Sequence, residues 1–218
     1  VGTRQYAVRW NEAVEPGDVA DSPSVGPLRI DVVEPLRTVS LSLADPTLPF
    51  GFDLQYEYRA EPVLTDRNRI EVNGEVVTDY INFFASGRYS GSVVVDGEEL
   101  AVNAPGFRDR GWGLRKHEGA PRRGLVLGMF SEFEDHAIYT LLYETGSGRR
   151  VMSNGWRLRP DRPASRATDI SHDLTLIHGL LEGGRIGMLL DGDHLEVEFK
   201  VENRLFLSSL GYTPHVST

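Results

Sequence analysis

The chain has 218 residues and no cysteine, and its 23 basic and 32 acidic side chains give a formal net charge of -9. This length can bury a hydrophobic core as one large domain or two small ones. The acidic balance argues against general affinity for nucleic acid, and the absence of cysteine excludes disulfides, thiolate metal sites and cysteine nucleophiles.

The ends and the redox chemistry of the chain lead to three expectations. The first residues, VGTRQYAVRW, lack an initiator methionine and the regions of a signal peptide, so we expect a trimmed chain. No apolar run approaches the roughly 20 residues of a membrane helix, so we expect no membrane span. The absence of cysteine fits a reducing compartment, and we expect a cytoplasmic protein. No pattern specifies an oligomeric state.

Short alternating segments dominate the N-terminal part. Residues 4–10 alternate loosely and indicate a strand, and residues 11–27 are rich in proline, glycine and acidic side chains, which predicts a loop. Two apolar runs within residues 28–43 are interrupted by Pro35 and predict two strands. Residues 52–59 alternate cleanly between apolar and polar side chains, as expected of a half-buried strand.

Hairpin signals recur further along the chain. Three dipeptides tolerate positive φ at both positions and predict tight hairpins, namely Asn73-Gly74, Asp96-Gly97 and Asp191-Gly192. Residues 125–133, 138–144 and 151–158 predict three more strands. Residues 159–166 contain two prolines and several charges, which indicates a loop.

The C-terminal part continues the same pattern. Residues 173–181 predict one strand with His178 on its apolar face, and residues 195–201 predict the last strand. No segment has the apolar stripe of a helix. Many short strands separated by turns predict an all-β protein, an antiparallel sandwich or barrel.

One stretch is unlike the others. Four ionised side chains and one indole lie within the eight residues Arg108-Asp109-Arg110-Gly111-Trp112-Gly113-Leu114-Arg115. Buried charges need partners and an exposed indole is costly, so the stretch fits the floor of a pocket. Alternation in a strand places Arg108, Arg110 and Trp112 on one face and Asp109 on the other. A structural Arg–Asp network around a core tryptophan is the competing interpretation.

The protonation of Asp109 has two alternatives. Apolar walls would raise its pKa and make it a candidate acid, whereas a paired arginine would hold it as an anion. Residues 108–123 carry six basic and two acidic side chains, which favours an anionic ligand group, with a solvated loop at residues 116–123 as the alternative. His117 reaches the same pocket if the strand continues.

The sequence lacks the motifs of metal sites, serine hydrolases and nucleotide-binding enzymes. The six histidines do not have the spacing of metal ligands, and no serine has a GxSxG context. No P-loop is present, and no GxGxxG follows a strand and opens a helix. We therefore expect no metal and no cofactor.

Three motifs in the middle of the chain resemble a known family. Gly87-Arg88-Tyr89-Ser90-Gly91, Val95-Asp96-Gly97-Glu98 and the segment GFRDRGWGLR at residues 106–115 are similar to a signature GRVSG…VDGE…GFRDRSWGxR. That signature belongs to lipocalin-like proteins related to carotenoid 1,2-hydratase (hydroxyneurosporene synthase). The resemblance is weaker in the C-terminal half, at residues 171–176 and the Asp191-Gly192 hairpin, and covers little before Ser86.

The resemblance implies a fold and a class of ligand. It implies an antiparallel lipocalin-like β-barrel in two halves, residues 1–85 and residues 86–218, of which the second carries the motif. The chain is short for a full two-barrel member, so we expect a first half that is reduced or truncated. The implied ligand is hydrophobic, often isoprenoid or polycyclic. Family members include hydratases that protonate an alkene, and relatives that catalyse cyclisation or isomerisation without a cofactor.

The motif also implies roles for single residues. By position, Asp109 matches the motif acid, and we expect Asp109 and Arg108 to be catalytic. The residues expected to bind substrate are Trp112, Arg110, Arg115, His117, Tyr89 and Phe107. Gly111 stands where the family commonly has serine, and Arg110 stands where the carotenoid hydratases tend to have histidine, which counts against hydration itself.

The leading expectation is therefore a cofactor-independent enzyme that uses acid/base chemistry on a hydrophobic terpenoid-like or polyketide-like molecule. The reaction would be hydration, isomerisation or cyclisation, and an arginine would set the pKa of the acid or hold an anionic substrate group. The alternative is a lipocalin-like carrier of a hydrophobic ligand without catalysis. A carbohydrate-binding sandwich using Trp10 and Trp156 is a third hypothesis.

Overall fold

The computed structural model describes residues 24–72, 74–115 and 124–203. These residues form fourteen β-strands and contain no helix. The first eight strands are β1 (Ser24–Val25), β2 (Leu28–Glu34), β3 (Thr38–Leu43), β4 (Phe50–Tyr58), β5 (Val63–Leu64), β6 (Asn68–Val72), β7 (Glu75–Val95) and β8 (Glu98–Arg115). The other six are β9 (Gly124–Glu132), β10 (Ala137–Thr145), β11 (Arg150–Arg159), β12 (Arg162–Ile177), β13 (Leu180–Leu190) and β14 (Asp193–Lys200).

The strands form two antiparallel sheets, each curled into a half-barrel. The first sheet has the order β1-β2-β3-β4-β7-β5, with β6 and β8 also paired to β7, and the second has the order β14-β13-β12-β11-β10-β9. The prediction of an all-β, antiparallel, barrel-like fold in two halves is confirmed. In the part of the chain that the structure describes, no helix is long and apolar enough to cross a membrane.

Strand β7 organises the first sheet because it is long enough to pair with four strands. Its C-terminal half pairs with β4, its N-terminal half pairs with β5 and β6, and β8 pairs along its length. The β7–β8 hairpin turns at Asp96-Gly97, where both residues have positive φ. The predicted boundary at residues 85–86 lies inside β7, and the chain passes from the first sheet to the second between β8 and β9.

The loop predicted at residues 159–166 is wrong. Strand β11 ends at Arg159 and β12 begins at Arg162, so the connection is only Pro160-Asp161. The pairing register shifts between Arg157 and Arg159, beside Pro163 on the partner strand. Proline cannot donate to the ladder, and a bulge at this place allows the strand to contain it.

The single strand predicted at residues 173–181 is also wrong. Strand β12 ends at Ile177, and His178-Gly179 form a two-residue turn with positive φ at both positions. His178 is therefore exposed at a hairpin tip instead of lying on an apolar face. Apolar residues on both sides of the turn hid it from the sequence pattern.

Two hydrophobic clusters hold the fold together. One lies within the second sheet and is formed by Leu127, Ile138, Leu142, Ile170, Ile186, Met188, Leu190 and Val197. The other joins the two sheets and is formed by Ala60, Val63, Phe84, Ala137, Tyr139 and Leu158. The Phe84 ring stacks on Tyr139 with centroids 3.6 Å apart, so this face of β7 is turned toward the second sheet.

Candidate functional site

The motif residues of β8 lie on two opposite faces of the first sheet. Asp109 is paired with Phe84 and Arg108 with Ala85, and side chains alternate along both strands. We call the side of Phe84 the inter-sheet face, because Phe84 packs on the second sheet. Arg108 and Asp109 are therefore on different faces, as the alternation predicts.

Arg108 lies on the other side, which we call the aromatic face and define by Tyr56, Tyr58, Phe83, Tyr89 and Arg108. The Arg108 Nη1 donates a hydrogen bond to the Tyr58 hydroxyl. Its guanidinium carbon is 6.0 Å from the centroid of the Tyr58 ring. Arg108 is half-buried, and no carboxylate of the described residues pairs with it.

The rings of the aromatic face contact one another. The Tyr56 centroid is 5.1 Å from that of Tyr58 and 4.8 Å from that of Tyr89, and Tyr58 is 6.4 Å from Phe83. Burial raises the pKa of Tyr56 and of Tyr89, and the positive charge of Arg108 opposes both increases. These two phenols are thus neutral at physiological pH.

The two phenols are held by backbone carbonyls. Tyr56 donates to the carbonyl of Ala85 at 2.9 Å, and Tyr89 donates to that of Phe107 at 3.2 Å. These bonds fix both rings against the β7–β8 hairpin. The aromatic face is therefore built from rings with fixed orientations.

Two motif glycines are needed so that these rings can lie flat on the hairpin. A Cβ at Gly87 would lie 2.3 Å from the Tyr56 ring and 2.4 Å from the carbonyl oxygen of Glu57. A Cβ at Gly106 would lie 2.6 Å from the Tyr89 ring. The glycines of the GRYSG and GFRDRGWG segments thus have a packing function.

One further motif cation, Arg110, and the indole of Trp112 lie on the same side of β8 as Arg108. Arg110 and Trp112 alternate in step with Arg108, opposite Phe83 and Ile81, and both are exposed. Trp112 is 51% exposed, so it is not the core tryptophan of the competing interpretation. Arg115 ends β8, but its side chain and all of His117 lie outside the described residues, as does the strand predicted at residues 4–10.

Asp109 and Phe107 share the inter-sheet face. Asp109 is exposed and its Oδ1 accepts a hydrogen bond from Asn82 Nδ2 at 3.0 Å. Asn82 is buried, and its Oδ1 has no partner among the described residues. Phe107 is half-exposed and stacks on Phe130 of β9 with centroids 4.2 Å apart.

Behind Asp109, buried polar groups continue toward the second sheet. The Asn82 backbone donates to Thr65 Oγ1 at 3.1 Å, and Thr65 Oγ1 accepts a long bond from Asn68 Nδ2 at 3.4 Å. Asn68 Oδ1 in turn accepts from Asn154 Nδ2 of β11 at 2.8 Å. This series of hydrogen bonds, which passes through the Asn82 backbone, connects Asp109 to the second sheet.

The sequence patterns missed a buried ion pair between the sheets. The Glu132 side chain is 8% exposed, lies 3.0 Å from Arg59 Nη2 and accepts a bond from Ser86 Oγ at 2.8 Å. Burial raises the pKa of Glu132, and the hydrogen bond from Ser86 and the charge of Arg59 only partly oppose it. Its partners are far away in sequence, so no local pattern could identify it.

No group of three or more histidine, aspartate or glutamate side chains in the described ranges could hold a metal ion. The chain matches a family model over residues 2–215, and the model is described as a domain of unknown function, DUF7064. No curated protein and no solved structure matches it. The family match covers both sheets and includes the β7–β8 hairpin.

Proposed function

The chain belongs to the DUF7064 family, whose description states no activity, and we propose that it binds a hydrophobic small molecule with an anionic group. The binding site in this proposal is the aromatic face of the first sheet. Tyr58, Phe83 and Tyr89 would pack against the apolar body, and Arg108 would bind the anion. Terpenoid-like and polyketide-like acids have this combination of groups.

One observation carries the proposal: Arg108 is half-buried among aromatic rings and has no carboxylate partner in the described residues. Two other half-buried arginines do have carboxylate partners, since Arg59 pairs with Glu132 and Arg157 pairs with Asp191. A partly desolvated cation without an anion is costly, and a ligand carboxylate or sulfonate would supply the missing partner.

The resemblance of the motif to lipocalin-like proteins supports the same proposal, because those proteins hold hydrophobic molecules. The geometry favours binding over catalysis by the pair Arg108 and Asp109. These residues face opposite sides of the sheet, so one substrate group cannot contact both of them.

Two fluorescent probes test the proposal. 1-Anilinonaphthalene-8-sulfonate has an aromatic body and an anion, and N-phenyl-1-naphthylamine has the same body without the anion. We expect wild type to bind the sulfonate about tenfold more tightly than the neutral probe, because a charge-assisted hydrogen bond contributes about 1.5–3 kcal/mol.

A matched pair of variants locates the binding. Arg108→Gln is expected to remove the preference for the sulfonate. Arg88→Gln changes an exposed arginine of the same hairpin, bonded to Asn103, and is expected to keep it. Circular dichroism should show that both variants are folded. Equal affinity for the two probes in wild type, or a preference that survives Arg108→Gln, would overturn the proposal.

A second candidate function is acid/base catalysis by Asp109, whose carboxylate accepts a hydrogen bond from the buried amide of Asn82. This bond fixes the carboxylate on the inter-sheet face, beside the stacked rings of Phe107 and Phe130. Its test begins with native mass spectrometry of protein purified from its host, to identify a co-purifying hydrophobic molecule. That molecule is then incubated in D₂O with wild type and Asp109→Asn.

For catalysis, wild type should add deuterium or water to the molecule, and Asp109→Asn should not. Addition at equal rates by both proteins would exclude Asp109 as the acid. If wild type adds neither deuterium nor water, acid catalysis is excluded and only the binding proposal remains, because a carrier changes no bonds of its ligand.

A further inference from the structure

A polar cleft lies where the two sheets meet, apart from the aromatic face. Its volume is about 190 Å³. The first sheet and the chain before β6 contribute residues 66–70, and the second sheet contributes residues 151–154 and Arg166. Since water occupies about 30 Å³ per molecule in the liquid, the cleft has room for a ligand about as large as glycerol phosphate.

Two buried asparagines form the inner part of the cleft. Asn68 and Asn154 are 5% and 4% exposed, and Asn154 Nδ2 donates to Asn68 Oδ1 at 2.8 Å. Among the described residues, Asn68 Nδ2 makes only the long bond to Thr65, so its second N–H has no partner there. Asn154 Oδ1 accepts no hydrogen bond from the described residues. One amide donor and one amide acceptor are therefore available.

Three arginines and one aspartate form the outer part of the cleft. Arg166 pairs with Asp66 through Nη2, which joins the two halves of the protein. Arg67 pairs with Asp79 through Nε and Nη2. A guanidinium has five N–H groups, so both arginines keep donors that no described residue accepts.

The third arginine, Arg69, also has carboxylate partners. Arg69 bonds to Glu71 through Nε and Nη2 and lies 3.7 Å from Asp79. Glu71 and Asp79 do not line the cleft, and alternation along β6 places Arg69 on the opposite face of the strand from Asn68, so Arg69 lies at the rim of the cleft. The residues that line the cleft thus include three arginines and one aspartate, in a chain of net charge -9.

We propose that this cleft is a second binding site, for a small molecule that carries a phosphate or carboxylate together with hydroxyl groups. The planar guanidinium groups match the oxygens of a phosphate or carboxylate. A hydroxyl both donates and accepts, and it therefore matches the free donor of Asn68 and the free acceptor of Asn154. Such a ligand would contact both sheets at once.

Isothermal titration calorimetry with four probes tests this site. The probes are sn-glycerol 3-phosphate, L-malate, glycerol and inorganic phosphate. We expect at least one of the first two to bind with a dissociation constant below about 1 mM, inorganic phosphate to bind about tenfold more weakly, and glycerol not to bind. Comparison of the first two distinguishes a phosphate site from a carboxylate site. Failure of both, or equally tight binding of inorganic phosphate, would overturn the proposal.

Two substitutions at the sheet junction give opposite expectations. Arg166→Gln should weaken binding about tenfold or more, because a charged donor is lost. Its control, Arg162→Gln, removes an exposed arginine of the same strand that pairs with Asp161 outside the cleft. Asp66→Asn should strengthen binding at least twofold, because the one anionic side chain of the lining is neutralised.

The Asp66→Asn result separates a ligand site from a merely structural junction. Loss of the Arg166 pair alone would lower thermal stability but would not raise affinity for an anion. Weaker or unchanged binding in Asp66→Asn, or equal losses in Arg166→Gln and Arg162→Gln, would contradict the assignment. Asp66 and Arg166 are both largely exposed, so the folded state is expected to tolerate these changes.

Discussion

The Arg108 guanidinium donates a hydrogen bond to the Tyr58 hydroxyl, and this bond joins β8 to the end of β4 across the intervening strand β7. Asp109, the next residue in the chain, bonds instead to Asn82 on the opposite face. The adjacent acid therefore does not neutralise Arg108. An anion that reaches the aromatic face meets a cation whose described protein partner is the hydroxyl group of Tyr58.

We expect Tyr58→Phe to bind the anionic naphthalene probe about threefold more tightly than wild type. The variant keeps the ring but removes the acceptor of the Arg108 hydrogen bond, so the guanidinium loses a protein partner that competes with the ligand. Affinity for the neutral probe should not change. Fluorescence titration measures both, and weaker binding of the anion would mean that Tyr58 orients Arg108 for the ligand.

Replacement of Gly87 by alanine should lower the free energy of unfolding by about 1–3 kcal/mol, the usual range for overpacking a core. The added methyl group would overlap the Tyr56 ring and the Glu57 carbonyl. Gly128→Ala in β9 is the matched control, because its Cβ would meet only Leu141 Cδ1 at 3.9 Å. Urea unfolding of both variants checks the comparison, and equal losses would show that the Tyr56 ring moves aside freely.

The contribution of Glu132 to the free energy of unfolding should decrease as pH rises above its unfolded-state pKa of about 4.5. Its pKa is raised in the folded state, so the folded protein binds more protons than the unfolded chain in this range. The stability contribution is present at low pH and is lost as pH rises through the folded-state value. Wild type should therefore lose stability relative to Glu132→Gln between pH 4.5 and pH 7.5.

Urea unfolding of both proteins at several pH values measures this difference. A difference that instead grows in favour of wild type with rising pH would mean that the ion pair with Arg59 outweighs the burial of the carboxylate. For Glu144 we expect the opposite pH dependence of the free energy of unfolding. Hydrogen bonds from Arg150 and His172 lower its pKa, so its contribution is lost as pH falls through the folded-state value.

Asp109→Asn should change the free energy of unfolding by less than about 0.5 kcal/mol, because Asp109 is exposed and asparagine can still accept the bond from Asn82. Asn82→Ala should cost about 1–3 kcal/mol, because truncation of this buried side chain leaves a cavity and removes its hydrogen bond to Asp109. Thermal and urea unfolding test both values. A large loss in Asp109→Asn would assign this residue a structural function.

Features that depend on neighbouring residues could be predicted from the sequence. The opposite orientation of Arg108 and Asp109 follows from the two-residue period of a strand, and the Asp96-Gly97 and Asp191-Gly192 turns follow from their tolerance of positive φ. The errors at residues 159–166 and 173–181 arose where local composition was misleading. Prolines lay within a bulged strand, and apolar residues flanked a turn.

Contacts between distant residues could not be predicted. Tyr58 lies 50 residues from Arg108, Ser86 lies 46 from Glu132, and Asn68 lies 86 from Asn154. These pairs come together only when the strands adopt their order in the sheets and the two sheets pack. The aromatic face, the buried ion pair and the polar cleft all depend on such pairs.

The sequence by itself determined that this is an antiparallel β protein with a long hairpin, and which residues share each face of that hairpin. Only the tertiary structure decided which face is covered by the second sheet. Alternation divides side chains into two sets but contains no information about what packs on either set. The packing of Phe84 on Tyr139 places Asp109 on the inter-sheet face and leaves Arg108 with the tyrosines on the other.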